Sequence, residues 1–321
     1  MILARLARKT WKPRSVVCVA AGFLCCVQCL LPARLNCGGT DLPDTIKLML
    51  AHPKVRDLHG AWHLARSLNI LKKHLGERDS LLMSIQQRLP MIPQVGDSGS
   101  GEDFLYMHRH MIHMLKHELC QLGIKNDIAD GWDTIPWCHE DSAWPMPECF
   151  TTRSGDEDLG EALKENKSEP KTKEMQKEFG TDVWLREIKS IDELGRKLEG
   201  GIHVWMHNHW AAQEGYGAWR GQDPNSVKND FLGSFMSAQV NKVFWKLHGW
   251  IDNQIAKWEG IHNREAEFNQ AWNRLELFGW PVHEMSLTYL IGPGKDYTSL
   301  LTGELREIAE VGYLILAVPQ K

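Results

Sequence analysis

The sequence predicts a mainly α protein with a four-helix-bundle core and a short strand-containing C-terminal part. Apolar residues recur at helical spacing in most segments, as they do in residues 54–75. No regular alternation of strand and helix patterns occurs, and no glycine-rich phosphate loop follows a strand, which disfavours nucleotide-binding enzymes. Apolar and polar residues alternate more regularly in residues 284–318 than elsewhere, in the stretches SLTYLI and GYLILAV, so we expect strands there.

The predicted helices are separated by two segments of different composition. Residues 123–150 are rich in Trp, Pro and Asp and are predicted to be loop. Residues 151–181 are highly charged and have few large apolar side chains, which predicts a solvated linker or a short exposed helix between two halves. The helices themselves are predicted over 54–75, 78–89, 104–122, 196–212, 232–258 and 262–278.

Composition and charge narrow the class of protein. The 321 residues are 43% hydrophobic and 24% charged, which is typical of a globular protein and excludes a disordered or many-span membrane chain. The formal net charge of −4 gives no indication of a nucleic-acid partner. The counts of 14 Trp and 15 His are unusual, and a histidine-rich chain often binds metal.

The first 36 residues have the layout of an export signal. Residues 1–14 carry five positive charges and no acid, and residues 15–33 are almost wholly apolar. Because 19 apolar residues can just span a bilayer, an uncleaved amino-terminal membrane anchor is one alternative, and a buried helix is another. The signal and the anchor both predict an exported protein, secreted or periplasmic, in which residues 37–321 form one domain.

Removal of residues 1–36 would change the charge and the cysteine count. That segment holds six basic residues and no acid, which leaves 31 basic and 41 acidic residues and a net charge of −10. Four cysteines would remain, which is enough for two disulfides in an oxidising compartment, but the sequence leaves their pairing open. They are Cys37, Cys120, Cys138 and Cys149.

A histidine pattern occurs twice along the chain. In the first half an HxxxH is followed 45 residues later by the last residue of an FxxxH, and in the second half the interval is 41 residues. On a helix, HxxxH places two imidazoles on one face, and a third from a neighbouring helix completes a site with three nitrogen ligands. The six histidines are His59, His63 and His108, then His203, His207 and His248.

This pattern predicts a metal centre. Imidazole ligands suit copper or zinc better than magnesium or calcium, and two such sites facing each other across a four-helix bundle would form a dinuclear centre. HxxxH spacing alone can arise by chance in a histidine-rich chain, as His113 and His117 show. We predict that these two residues, with His110, lie on a packing or surface face roughly opposite His108. A linked pair of motifs that occurs twice is harder to explain by chance.

Several segments resemble conserved pieces of tyrosinases. Residues 244–252 (FWKLHGWID) resemble the second copper motif, and residues 198–207 (LEGGIHVWMH) resemble the HxxxH that precedes it. Residues 104–109 (FLYMHR) resemble the start of a helix that carries a first-site ligand, and Ile135-Pro-Trp137 lies where the family has its PYWDW segment. These pieces occur in the family's order, so the chain resembles the tyrosinase, or type 3 dicopper, family over residues 59–259.

The resemblance implies a copper oxidoreductase that uses dioxygen to oxidise a small phenolic substrate at a pair of copper ions. It implies two sets of ligands, His59, His63 and His108 for the first ion and His203, His207 and His248 for the second. The first motif departs from the family, because Gly99 stands where a histidine is usual. The use of His59 and His63 is similar to the layout of arthropod hemocyanins, and His74 is the reserve ligand.

The resemblance also bears on the choice of substrate. Glu199, four residues before His203, matches a family carboxylate that holds a water able to deprotonate monophenols, so we predict that it is catalytic. Val204 stands where an Asn often follows the histidine ligand. Oxidation of a catechol or o-aminophenol is therefore favoured over a monooxygenase reaction on a monophenol.

Two other classes of protein stay open. A mononuclear copper or zinc protein would use only His203, His207 and His248, and a non-catalytic relative would bind oxygen or copper without turnover. The expected partners of the oxidase are a small phenol and dioxygen, with a copper chaperone as a further candidate. Asp252 is predicted to anchor its helix by hydrogen bonds rather than to take part in chemistry.

Overall fold

The computed structural model describes residues 41–68, 83, 86–87, 92–138, 140–146, 168–210, 225–277 and 286–292. The predicted export segment, the GYLILAV strand and most of the predicted helix over 78–89 lie outside the described residues, as do His74, Cys37 and Cys149. Among the described residues, no helix has the length and apolar character needed to cross a membrane. The predictions of export and of disulfides therefore stay predictions.

The described part of the chain is mainly helical, as predicted, and these ranges contain no strand. Two short 3-10 helices, Ile128–Asp130 and Ala238–Val240, and a π-helical turn, Glu199–His203, add to the α-helices. The α-helices are α1 (Asp44–Leu50), α2 (Pro53–Ala65), α3 (Ser100–Gln121), α4 (Ser168–Glu178), α5 (Asp182–Glu187), α6 (Ile191–Leu198), α7 (Val204–His209), α8 (Lys242–His262), α9 (Asn269–Leu277) and α10 (Leu287–Ile291).

Local sequence signals fix the ends of the helices that carry the predicted ligands. Helix α2 begins with Pro53, whose ring favours the first helical position, and the His52 side chain accepts a hydrogen bond from the Lys54 amide. Helix α8 begins after Asn241, whose side chain accepts a hydrogen bond from the Val243 amide. It ends at Asn263, which adopts the left-handed conformation typical of a helix C-terminus (φ 51°).

Close backbone contacts bring the helices together around an aromatic core. Gly101 on α3 faces Gly195 on α6. A Cβ added to Gly101 would lie only 2.0 Å from the Asp192 carbonyl oxygen, so the contact requires glycine at position 101. Large rings fill the space beneath these contacts, and Phe104, Phe244 and Trp245 are fully buried. Burial of one such ring contributes about 1.5–3 kcal/mol, so these helices depend on one another for stability.

The predicted strand SLTYLI is helical instead. Residues Leu287–Ile291 form α10, and the Ser286 side chain caps the helix by accepting a hydrogen bond from the Tyr289 amide. The buried Glu118 carboxylate of α3 accepts hydrogen bonds from the Thr288 amide and hydroxyl. The strand prediction for this segment is therefore wrong, because a cap and a distant carboxylate outweigh the alternation of six residues.

The charged segment between the two halves includes a helix with one docked face. Thr172 on α4 is completely buried, and its hydroxyl accepts a hydrogen bond of 2.8 Å from the Trp205 indole. The Gln176 amide donates to the Ile135 carbonyl at 2.6 Å. The short-helix alternative thus describes residues 168–178 better than a fully solvated linker does.

Candidate metal centre

The six predicted ligands converge in one buried cluster, although they come from both halves of the chain. His59 and His63 lie on α2, His108 on α3 and His248 on α8, while His203 and His207 lie on the π-helical turn and α7. The cluster contains two triads, and within each triad the donor atoms all lie within 4.8 Å of one another. One triad is His59, His63 and His108, and the other is His108, His203 and His248, so His108 belongs to both. His207 adjoins the second triad, with its Nε2 atom 3.4 Å from that of His248.

Hydrogen bonds outside the cluster orient three of the rings. His108 donates from Nδ1 to the Phe104 carbonyl at 2.8 Å, and His207 donates from Nδ1 to the Leu232 carbonyl at 2.7 Å. His59 donates from Nδ1 to the Gln239 side-chain oxygen at 3.3 Å. Since a neutral imidazole carries one proton, each of these bonds leaves Nε2 as the unprotonated nitrogen that can bind a metal ion.

Several buried ring nitrogens of the cluster have no hydrogen-bond partner in the described part of the chain. They are Nε2 of His108, both ring nitrogens of His203, and Nδ1 of His248. A buried polar atom left without a partner costs about 1–3 kcal/mol, so such a group of atoms is unusual in a folded protein. A metal ion would satisfy one unprotonated nitrogen of each ring, and the all-imidazole donor set fits copper or zinc.

Burial keeps the histidines of the cluster neutral. Removal from water lowers the pKa of His59 and of His207 to about 4. Desolvation, followed by repulsion from neighbouring histidines, lowers the pKa of the remaining four well below the ordinary value: His63, His108, His203 and His248. Because the neutral form is the one that binds a metal ion, the cluster is prepared for binding at neutral pH.

Aromatic side chains surround the cluster and limit the access of water. The ring centroids of Phe244 and His248 are 4.2 Å apart, and those of Phe104 and His203 are 4.7 Å apart. Phe235 differs from these buried rings because 40% of its surface is exposed. It stacks on His63 with the centroids 4.5 Å apart and the planes 9° from parallel. Phe235 therefore lies where the cluster meets solvent.

Glu199, the predicted catalytic carboxylate, is buried in an ion pair. Its two oxygens accept hydrogen bonds from the guanidinium of Arg66 at 2.7 and 2.9 Å. Arg66 also donates to the Ser100 carbonyl at 2.6 Å and lies over the Trp62 ring. The carboxylate is thus engaged by a cation that follows α2, so proton acceptance by Glu199 would require this pair to open.

The other histidines of α3 lie outside both triads. His113 is exposed and His117 half-buried, as a surface face predicts, while His110 is buried and its pKa is lowered to about 4 by desolvation. Asp252 accepts a hydrogen bond of 2.6 Å from Arg109, which agrees with the predicted anchoring role.

The sequence did not reveal the loop that holds the ligands in place. Residues 225–240 supply Leu232, Phe235 and Gln239, which contact His207, His63 and His59. The fully buried Arg56 guanidinium fixes this loop through hydrogen bonds to the carbonyls of residues 226, 229 and 236, each at 2.9 Å. Only the position of Arg56, one turn before His59, could have indicated this role.

Comparison with known proteins gives no match, either to a protein-family model or to a curated protein.

Proposed function

We propose that the chain is a tyrosinase-like copper oxidoreductase that uses dioxygen to oxidise a small phenolic substrate at a dinuclear copper centre. The observation that carries the proposal is the convergence of both histidine repeats in one buried cluster. Two HxxxH motifs that lie 140 residues apart would have no reason to meet at their imidazoles if each were an ordinary surface pattern. The resemblance of residues 59–259 to tyrosinases supports copper over zinc.

In this proposal each repeat holds one ion. His59, His63 and His108 bind the first, and His203, His207 and His248 bind the second, with the segments that carry them arranged as a four-helix bundle. Copper would supply redox chemistry: two catechols each lose two electrons and two protons to become quinones, and one dioxygen takes them up to form two waters.

The protein's own contribution is to hold neutral donors in a dry site. The carbonyls of Phe104 and Leu232 fix the orientation of His108 and His207, and Phe244 excludes water from one side. The partly exposed Phe235 ring lies where an aromatic substrate would approach, and an aromatic ligand could stack against it.

The engagement of Glu199 favours catechols and o-aminophenols as substrates. A monophenol must lose its hydroxyl proton before hydroxylation, and Glu199 would have to leave its pair with Arg66 to reach that proton, because both of its oxygens accept hydrogen bonds from the guanidinium. An o-diphenol is more acidic and does not need an oxygen atom inserted. We therefore expect diphenol oxidation without monophenol hydroxylation.

The proposal is tested by loading the full-length chain with copper in air. We expect two copper ions per chain by elemental analysis, little electron paramagnetic resonance signal because paired cupric ions couple, and oxygen uptake with catechol. His63→Ala and His203→Ala should each abolish oxygen uptake, while Trp272→Ala, on the exposed side of α9, serves as the control. Two coupled ions without oxygen uptake would indicate a non-catalytic binding protein.

A mononuclear copper or zinc protein is the second candidate. It is favoured by the fact that the four unpartnered ring nitrogens of the cluster belong to His108, His203 and His248, so a single site would use His108 in place of the predicted His207. One copper per chain with a full cupric resonance signal would support this candidate and contradict the dinuclear proposal.

A further inference from the structure

We propose that the first metal ion to bind this chain is held by His108, His203 and His248, a site that joins the two histidine repeats. This set of ligands differs from both sets in the proposed dinuclear centre, since it takes one residue from the first repeat and two from the second. The inference goes beyond the proposed oxidase, because it concerns the binding of a single ion and does not depend on turnover.

The hydrogen-bond state of each ring supports this choice. The unpartnered nitrogens of the cluster all belong to these three histidines. Among the other three rings, His59 donates to Gln239, and the Nε2 atoms of His59 and His63 are 3.2 Å apart. His207 and His108 each donate from Nδ1 to a backbone carbonyl, and the Nε2 atoms of His207 and His248 are 3.4 Å apart. An ion that binds one unpartnered nitrogen of each of these three rings removes the desolvation cost of those three atoms and leaves the His59–His63 pair intact.

The positions of the three donor atoms allow one ion to be shared. They lie within 4.8 Å of one another, and all three side chains are buried. The His203 ring lies 5.0 Å from that of His248. The His108 and His248 rings are stacked, with centroids 3.9 Å apart, so one of them must tilt before both in-plane lone pairs point at the same ion. Three neutral imidazoles with an open fourth position form a binding site that suits zinc or copper.

The shared His108 makes the loading of two ions stepwise. Its Nδ1 atom donates to Phe104, so only Nε2 is available, and one nitrogen binds one ion. When a second ion binds at His59 and His63, His108 must transfer to it. His207, whose Nε2 atom is 3.4 Å from that of His248, can then replace His108 at the first ion. Because two divalent cations repel each other, the second ion should bind more weakly than the first.

The test is a calorimetric titration of the metal-free, full-length chain with Zn²⁺, which has no redox chemistry. For the first equivalent, we expect His108→Ala and His203→Ala to weaken binding by at least about 100-fold, because each removes a ligand. His207→Ala and His63→Ala should change the first dissociation constant by less than about three-fold and weaken only the second equivalent. His203 and His207 lie one turn apart, so they form a matched pair.

Variants with Gln at the same positions keep a polar side chain in the cluster, and circular dichroism checks that they fold. If the variants at 203 and 207 lost equal affinity for the first Zn²⁺ and the variant at 108 lost none, the first ion would lie in the second repeat, and the inference would be overturned. If the variants at 63 and 108 lost affinity for the first Zn²⁺ and the variant at 203 did not, the first ion would lie in the first repeat, and the inference would be overturned as well. The oxidase proposal would survive both results, and absence of oxygen uptake would leave the zinc result unaffected.

Discussion

At the scale of single residues, the guanidinium of Arg66 joins three segments that carry the histidine cluster. It follows α2, binds both oxygens of Glu199 in the π-helical turn, and donates to Ser100 at the start of α3. Arg66 is completely buried, and Glu199 is nearly so. Each charge can therefore be buried only because the other is present. The pair also fixes the position of the α2 end that carries His63 relative to the π-helical turn that carries His203.

The variant Glu199→Gln tests how much the Arg66–Glu199 ion pair contributes to the stability of the fold. The variant leaves a buried guanidinium without a counter-ion, so we expect the free energy of unfolding to fall by about 3 kcal/mol in urea denaturation. Glu193→Gln is the control, because Glu193 forms a partly exposed pair with Lys197 at 3.5 Å, and its replacement should lower the free energy of unfolding by less than about 1 kcal/mol. Equal costs for the two variants would show that Arg66 finds another partner or water, and that the pair does not organise the site.

Gln239 acts on the cluster through His59. Its amide nitrogen donates to the Met236 carbonyl at 3.2 Å, so its oxygen faces the Nδ1–H of His59. Gln239→Leu should weaken binding of the second Zn²⁺ equivalent by about 10-fold or more, because loss of such a bond frees the ring to rotate. The first equivalent should be unaffected, since His59 does not bind that ion.

Gln254→Leu provides the matched control for this prediction. Gln254 is also a completely buried glutamine, but its amide donates to the Trp250 carbonyl within α8 rather than to the histidine cluster. Its replacement should leave both zinc affinities unchanged. If Gln239→Leu behaved in the same way, the hydrogen bond to His59 would have no role in orienting the ring.

At the scale of elements, the π-helical turn decides how His203 reaches the cluster. Residues 196–212 were predicted as one helix, but α6 ends at Leu198, and Gly201 takes a non-helical backbone conformation (φ −104°, ψ −111°) before α7 begins. Such turns are common at functional sites because the extra residue redirects the side chains that follow. In the sequence, the Gly200-Gly201 pair was the signal that the helix could be interrupted here. The sequence did not show that the interruption would be a π-helical turn, because that depends on Phe179, which packs against Gly201.

Gly201→Ala should disturb this turn, whereas Gly200→Ala should not. A Cβ at position 201 would lie 2.5 Å from the Phe179 ring, while a Cβ at position 200 would meet nothing within 4 Å. We expect Gly201→Ala to lower the free energy of unfolding by about 1–3 kcal/mol through overpacking. The double variant with Phe179→Leu should recover part of this loss. Equal behaviour of the two single variants in urea denaturation would contradict this account of the turn.

At the scale of the whole molecule, the sequence predicted the members of the histidine cluster better than their arrangement. The repeated HxxxH and FxxxH units predicted six histidines that the structure places together, because helical spacing fixes which residues share a face. It could not predict that His108 lies between the two repeats, since that depends on the crossing of α2, α3 and α8. Leu232 and Phe104 contribute backbone carbonyls, which no side-chain pattern can reveal.

The neutral histidine cluster should also make the metal-free chain sensitive to acid. An unfolded histidine takes up a proton near pH 6.5, but burial lowers the pKa of His59 and His207 to about 4 and lowers the pKa of the other four cluster histidines well below the ordinary value. Between these pH values the unfolded state binds more protons, so stability is full above about pH 7 and falls as the pH is lowered. At pH 5.5 each histidine costs on the order of 1 kcal/mol, and six together approach the whole stability of a typical domain.

We therefore expect cooperative acid unfolding of the metal-free chain with a midpoint above about pH 5, followed by circular dichroism. His59→Gln removes one of these protons, so it should lower the dependence of stability on pH by up to about 1.4 kcal/mol per pH unit within the window. Zn²⁺ should move the midpoint to lower pH, because a metal-bound imidazole must release the ion before it takes up a proton. If the metal-free chain kept its full stability down to pH 4.5, its histidines would be solvated when empty, and burial would not be what prepares them for the metal.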